Sequence, residues 1–229
     1  MNLKKKIKNI GHRLFGYPPT IDENISLKVI RKYLKAHSNI IDCGAHDGRD
    51  SIRLQKQLNA TIFSFEPVPR LFEILKKNTE INKRIIPYNI ALSDEIGYSK
   101  FYVSSGETDA SSSLLEPSAH LQDHPSVIFE EVIQVKTDTL DVWAKTNKIE
   151  RIDMLWLDMQ GFEMQMLKAS PNILSTVKVI HTEVSTKNTY QKVHQYLEYK
   201  NFLNENGFEV KLEAIPNGWD MGNVLFVRN

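Results

Sequence analysis

NIIDCGAHDG at residues 39–48 and FSFEP at residues 63–67 decide the reading of this chain. Ile40 and Ile41 form a short apolar run that ends on Asp42. Gly44 and Gly48 follow, and the spacing of Arg49 to Leu58 predicts a helix. A second apolar run, Thr61 to Phe65, ends on another acid, Glu66. Strand, tight turn, helix and strand make the first βαβ unit of a doubly wound sheet, where ligands lie beyond the carboxyl ends of the strands. An acid closing the second strand is placed to accept hydrogen bonds from both hydroxyls of a ribose.

The turn narrows the choice of nucleoside. A dinucleotide site needs G-x-G-x-x-G, so that bare backbone can approach a pyrophosphate at the helix N-terminus. Here Gly44 and Gly48 leave G-x-x-x-G, and Asp42 and Asp47 put carboxylates beside it. Those carboxylates repel a pyrophosphate, which disfavours an NAD oxidoreductase. They suit a ligand with an ammonium and a sulfonium, whose small carboxylate can be taken by backbone N–H groups. S-adenosylmethionine has that charge pattern.

The chain has 229 residues, 41% hydrophobic and 25% charged, enough for one domain with a sizeable core. A net charge of +1 argues against a dedicated nucleic-acid binder. The single cysteine, Cys43, excludes an intramolecular disulfide and reads as a buried structural thiol rather than a nucleophile. No apolar run approaches the roughly 20 residues of a membrane span, and no secretory h-region follows the first lysines, so a cytoplasmic location is expected.

Residues 1–37 read as an N-terminal helical cap and residues 38–229 as the catalytic domain. Lys4, Lys5, Lys6, Lys8 and Arg13 meet no acid, while Leu3, Ile7, Ile10, Leu14 and Phe15 recur at helical spacing. Such a helix either covers one side of the domain or makes peripheral contact with an anionic membrane. Tyr17-Pro18-Pro19 ends it, and Ile25 to His37 reads as a second helix.

Beyond FSFEP, Val68 to Asn82 is a helix and Ile85 to Leu92 a third strand. Ala91 and Leu92, at its end, can face either a flat adenine or the core. Gly97 to Val103 and Val127 to Thr137 are strands flanking a serine-rich stretch, Ser104 to His124. Its residues Ser111 to Leu114 either order over a ligand or stay solvated. Thr139 to Asn147 is a short helix. Asp153 to Met159 is a buried strand ending at Asp158, and Gln160 to Glu163 open a helix that Pro171 stops. Lys178 to Val184 is a strand with Glu183 near its end, and Thr189 to Asn206 a long helix. Phe208 to Ile215 and Gly222 to Val227 are joined too closely for a crossover and pair antiparallel.

Taken in order, Asp42-x-Gly44 with Gly48, FEP, NIALSD, a serine-leucine stretch, LDMQGFE with MLK, TEV and a terminal LFVR resemble the FkbM family of S-adenosylmethionine-dependent methyltransferases. The resemblance runs from Asn39 to Arg228. It implies a Rossmann-like class I methyltransferase: an α/β fold with a doubly wound, mostly parallel seven-stranded sheet and an antiparallel C-terminal hairpin. It also implies methyl transfer, typically to oxygen, with sugars, polysaccharides or secondary metabolites as acceptors. By this resemblance Asp42, Gly44 and Gly48, with Ala45 of the same turn, hold the methionine part of the cofactor, and Glu66 holds its ribose. Ala91 and Leu92 complete the cofactor-binding set. Many members carry an acid where this chain has Gln160.

Asp158 and Glu183 end consecutive strands, so a parallel sheet sets them side by side at the cofactor's methyl end. With Glu163 they are the candidate catalytic residues. An aspartate with a pKa of about 3.9 is a poor base for a sugar hydroxyl. Either the two acids crowd each other and one pKa rises, or they bind a divalent metal such as magnesium that lowers the acceptor's pKa. The absence of a dense Asp/Asn/Glu cluster after Asp158 favours the metal-free route. His46 and His181 are either further bases or structural histidines. Trp219 either stacks on a sugar or packs the hairpin, and Trp143 and Trp156 belong to the core. The expected partner is a small-molecule or glycan acceptor and not a nucleic acid, since no N-P-P-Y tetrad is present. A scaffold that binds a nucleoside without turnover is the reading from another class.

Overall fold

The computed structural model describes residues 25–118, 121, 124–187, 189–216 and 220–229. The basic amphipathic stretch at the N-terminus, Tyr17-Pro18-Pro19 and Trp219 lie outside the described residues.

The opening unit has the expected bounds: β1 (Asn39–Cys43), α2 (Arg49–Leu58) and β2 (Thr61–Phe65). Upstream lies α1 (Leu27–Ile30). Next come α3 (Pro69–Thr79) and β3 (Ile85–Tyr88). With β7 (Met154–Leu157), β8 (Val179–Ser185), β9 (Phe208–Ala214) and β10 (Met221–Arg228) they build a seven-stranded sheet of order β3-β2-β1-β7-β8-β10-β9. Strands β1, β2, β3, β7 and β8 are parallel, and β10 is antiparallel to β8 and β9. The chain winds outward through β2 and β3 on one side of β1 and through β7 and β8 on the other. The switch point therefore falls between β1 and β7, where doubly wound sheets hold ligands.

Alternation along the strands divides the core. Ile40, Ile62, Met154, Trp156 and Val179 face one side, while Ile41, Phe63, Phe65, Leu155 and Ile180 face the other. All four residues of β7 are buried, as a central parallel strand requires. Trp143 and Trp156 are both core residues.

Four expectations are corrected. Ile25 to His37 is not one helix: α1 has four residues and a 3-10 turn follows at Arg31–Tyr33. Its Ile25, Leu27 and Ile30 pack on the sheet face carrying Ile40 and Met154, so this segment covers the sheet and not the ligand cleft. Ala91 and Leu92 do not continue β3. They form β4 (Ala91–Leu92), which joins β5 (Gly97–Gly106) and β6 (Val127–Asp138) in a second sheet of order β4-β6-β5. The Asn89 side-chain amide donates to the carbonyls of Glu66 and Pro67 and turns the chain away from β2. Pro171 opens a further helix: α4 (Leu140–Thr146) and α5 (Glu163–Lys168) precede α6 (Pro171–Thr176), where proline suits the first turn because no N–H is needed there. Finally, α7 (Tyr196–Glu205) starts well after Thr189. Thr189 and Gln191 spend their backbone groups on Ser118 and Glu116, so the helix cannot begin there.

Arg228 closes the fold. Its guanidinium donates to the carbonyls of Val177 (2.8 Å), Leu174 (2.7 Å) and Asn206, and lies 4.2 Å from the Phe208 ring centre. Those carbonyls end α6 and α7, where helices leave acceptors unpaired. Arg228→Ala is expected to cost about 3 kcal/mol in urea unfolding, since a hydrogen bond to a charged group is worth about 1.5–3 kcal/mol. Arg228→Lys restores little, because a point ammonium lacks the planar fork. A loss under about 1 kcal/mol would contradict this reading of the cap.

Candidate active site

A cleft opens at the carboxyl ends of β1, β2 and β7. Cys43, Gly44 and His46 bring one wall, Glu66 and Pro67 a second, and Asp158 and Met159 a third. Ala91, Leu92 and Phe101 supply an apolar face. Within the serine-rich stretch, Asp109, Ser112 and Leu114 line the cleft. Asp109 fastens that stretch: its carboxylate meets His46 Nε2 and Arg70 Nη1, each at 2.9 Å. Burial pushes Asp109 up, but Arg70 and His46 hold it below the usual carboxylate range.

Glu66 sits where the chain order predicts. Its two carboxylate oxygens accept from the backbone N–H groups of His46 and Val68, both at 2.9 Å. A carboxylate has about four lone-pair sites, so these two donors leave room for hydroxyl donors from the cleft. Burial lifts its pKa to about 7, against the opposing pull of those N–H groups.

Gly44 has φ +84°, and a Cβ built there would stand 2.0 Å from the Asp158 backbone oxygen. It is therefore needed where β1 passes closest to the end of β7.

Other members of the expected cofactor set stand off the cleft. The Asp42 carboxylate is buried and accepts from Ser51 Oγ, which also meets Ser64 Oγ at 2.7 Å. It ties α2 to the sheet and does not line the cleft. Asp47 pairs with Arg49 at 2.7 Å. The Ala45 and Gly44 N–H groups donate to the Phe65 carbonyl, and the Gly48 N–H to that of Ala45. With the His46 N–H on Glu66, these groups are occupied and do not await a ligand carboxylate. Gly48 has φ +85° and sits against Leu75 of α3, where a Cβ would come within 2.7 Å of Cδ1. Its role in the fold is to let α2 and α3 approach.

The acids at the ends of β7 and β8 are brought together by a residue between them. Gln160 Nε2 donates to Asp158 Oδ1 at 2.7 Å and to Glu183 Oε2 at 2.9 Å. The Tyr190 hydroxyl lies 2.7 Å from the Ser111 carbonyl and 3.3 Å from Gln160 Oε1, which orients the amide. Asp158 is crowded by protein yet exposes surface inside the cleft, and desolvation raises its pKa against the hydrogen bond from Gln160. Glu183 and Glu163 both line a small neighbouring hollow. Glu163 accepts the Met159 N–H at 2.8 Å, and burial lifts its pKa to about 7. Among the described residues no three His, Cys, Asp or Glu side chains converge so as to hold a metal ion.

The two histidines part company. His181 is buried, stacked on Trp156 at 3.6 Å, and driven down to a pKa of about 3 by burial, so it is a core residue. His46 lines the cleft, committed to Asp109. Cys43 also borders it, and burial holds its thiol well above the usual range, which leaves it no nucleophile. The Asp109 clasp carried no signal in the sequence, because 63 residues separate it from His46.

Glu163 offers a pH test. Burial moves it from an ordinary 4.5 to about 7, so the folded chain holds a proton that the unfolded chain has released across that window. Stability therefore falls as pH rises through the window and levels off above it. Glu163→Gln keeps an acceptor for Met159 and removes the charge. In urea titrations it should match the wild type near pH 5 and gain up to about 3 kcal/mol near pH 8. A pH-independent difference would refute the assignment.

Solved structures show the same fold. The magnesium protoporphyrin IX methyltransferase of Synechocystis PCC 6803, crystallised with S-adenosylmethionine, superposes with TM-score 0.51 at 13% identity, over 100% of this chain and 85% of that one. TrmK of M. capricolum, in complex with S-adenosylhomocysteine, gives 0.50 at 12% identity over 90% and 70%. The sheet order, the close glycine after β1 and the acid after β2 are those of the Rossmann-like class I methyltransferase fold. The family model described as the methyltransferase FkbM domain matches residues 42–210. A 2-O-methyltransferase, NoeI, of Sinorhizobium fredii is 32% identical over 179 residues, 76% of this chain and 74% of its own length. The chain belongs to the FkbM family of methyltransferases.

Proposed function

We propose that this methyltransferase acts on oxygen, transferring a methyl group to a hydroxyl of a sugar or glycoconjugate. The observation that carries the reading is the pair of strand-end acids, Asp158 and Glu183, held one amide apart between the cofactor cleft and a second cavity. The 2-O-methyltransferase relative supports oxygen as the methylated atom.

The cleft fits the cofactor by chemistry. Glu66 can accept from two ribose hydroxyls, Ala91 and Leu92 offer a flat apolar face, and Asp158 sets negative charge near a sulfonium. When bound, S-adenosylmethionine supplies an electrophilic methyl group on sulfur. The protein's part is alignment first: holding an acceptor oxygen in line is worth roughly 7–11 kcal/mol of a barrier. The acceptor's proton then passes to the Asp158–Glu183 pair, where desolvation raises the Asp158 carboxyl above the ordinary aspartate range. The Asp109 strap excludes water from the cofactor side.

Methyl release from labelled S-adenosylmethionine with a saccharide panel, before and after dialysis against a chelator, tests this. Turnover that survives the chelator is expected. Tight S-adenosylhomocysteine binding with no turnover on any hydroxylated acceptor would overturn the reading.

A further inference from the structure

Gln160 stands between two acids with its backbone held where few residues with a side chain go. Its φ is +52°, in the left-handed region, and Gly161 follows at φ +98°. A non-glycine residue persists there when its surroundings fix it. Here the Ser113 hydroxyl donates to the Gln160 carbonyl at 3.1 Å. Val193 and Leu115 close on Gly161, where a Cβ would stand 2.7 and 3.3 Å from their side chains. This turn brings Nε2 to 2.7 Å from Asp158 Oδ1 and 2.9 Å from Glu183 Oε2, so both N–H groups of the amide are spent on carboxylates. The orientation enforces itself: turned over, the amide would set Oε1 against two carboxylate oxygens.

One oxygen of Asp158 is left over. Oδ1 takes the amide, while Oδ2 has no hydrogen-bond partner among the described residues, and Asp158 is exposed where it lines the cofactor cleft. Asp50 and His46 act on its charge from further off. We infer that Gln160 is a positioning residue for methyl transfer: with one N–H on each acid it keeps the two carboxylates together and turns Asp158 Oδ2 toward the sulfonium and the acceptor oxygen. The inference rests on the methyl-transfer reading above and adds the group that aims its carboxylate. Without the amide the two acids repel and Asp158 swings on its own torsions, and a displacement on the order of 1 Å costs about 10²-fold in rate.

The test uses two ligands that differ by one methyl group and one positive charge, S-adenosylmethionine and S-adenosylhomocysteine. Calorimetry gives the ratio of their Kd values for the wild type, Asp158→Asn and Gln160→Met, the last keeping an unbranched chain of similar length while removing both donors. Asp158→Asn should lower the relative preference for the sulfonium by roughly fivefold or more. Gln160→Met should reproduce most of that fall, with its Kd for S-adenosylhomocysteine and its melting temperature unchanged. A packing defect would weaken both ligands alike and leave the ratio where it was. On a methylated acceptor, Gln160→Met should lower kcat by about 10–100-fold while acceptor KM holds. A Gln160→Met ratio or kcat equal to the wild type would overturn the inference, while the fall in Asp158→Asn keeps the methyl-transfer reading standing. A ratio unmoved in Asp158→Asn takes that carboxylate away from the sulfonium and overturns both. If no hydroxylated acceptor is methylated, transfer to oxygen fails on its own, and the ratio still decides the role of Gln160.

Discussion

Gly44→Ala is expected to abolish S-adenosylhomocysteine binding and lower the melting temperature by about 8 °C or more, a loss of at least about 4 kcal/mol in a chain of this length. The new methyl would overlap the Asp158 carbonyl at 2.0 Å, and backbone, unlike the end of a long side chain, cannot swing away. Nor can the strands part cheaply. The Asp158 N–H is bonded to the Cys43 carbonyl at 3.0 Å, next to the clash. The positive φ adds strain for any residue with a Cβ. Thermal unfolding and calorimetry of the same sample read both effects. A variant that melts within about 2 °C of the wild type and binds normally would show that β1 and β7 tolerate separation.

The second large effect is on affinity. Glu66→Ala should weaken S-adenosylhomocysteine binding on the order of 10²-fold or more, since it removes an acceptor for two hydroxyls at about 1.5–3 kcal/mol each. It also strips the partner from the His46 and Val68 N–H groups. Glu66→Gln separates the two causes, keeping an acceptor while losing the charge, and should fall between. The pH dependence follows from the raised pKa of about 7. The ionised carboxylate is the stronger acceptor, so wild-type affinity should rise as pH climbs through 7, while Glu66→Gln stays flat. Affinity that falls over that range would place the ribose elsewhere.

Much of this was legible in the chain. The bounds of β1, α2 and β2 follow from strong local periodicity, punctuated by glycine turns, and they put Glu66 at a strand end without any tertiary information. Consecutive strand-end acids also told that Asp158 and Glu183 would be neighbours. Asp42 shows the limit. It stands next to last in β1, but which way its carboxylate turns depends on Ser51, 9 residues on, which donates to it and also meets Ser64. The same holds for the turn N–H groups, taken by Phe65 and Glu66 of the adjacent strand.

Residue order and short-range pattern thus settled the family, the sheet type and the acid at the end of β2, because each depends on neighbours within about one element. Folding in three dimensions decided that Ala91 and Leu92 serve a second sheet while still lining the cleft. It also fastened Asp109 to His46 and Arg70 and set Gln160 between two carboxylates. Those features are hydrogen bonds and ion pairs between distant segments, and such polar groups take whichever partner the packed core brings within reach.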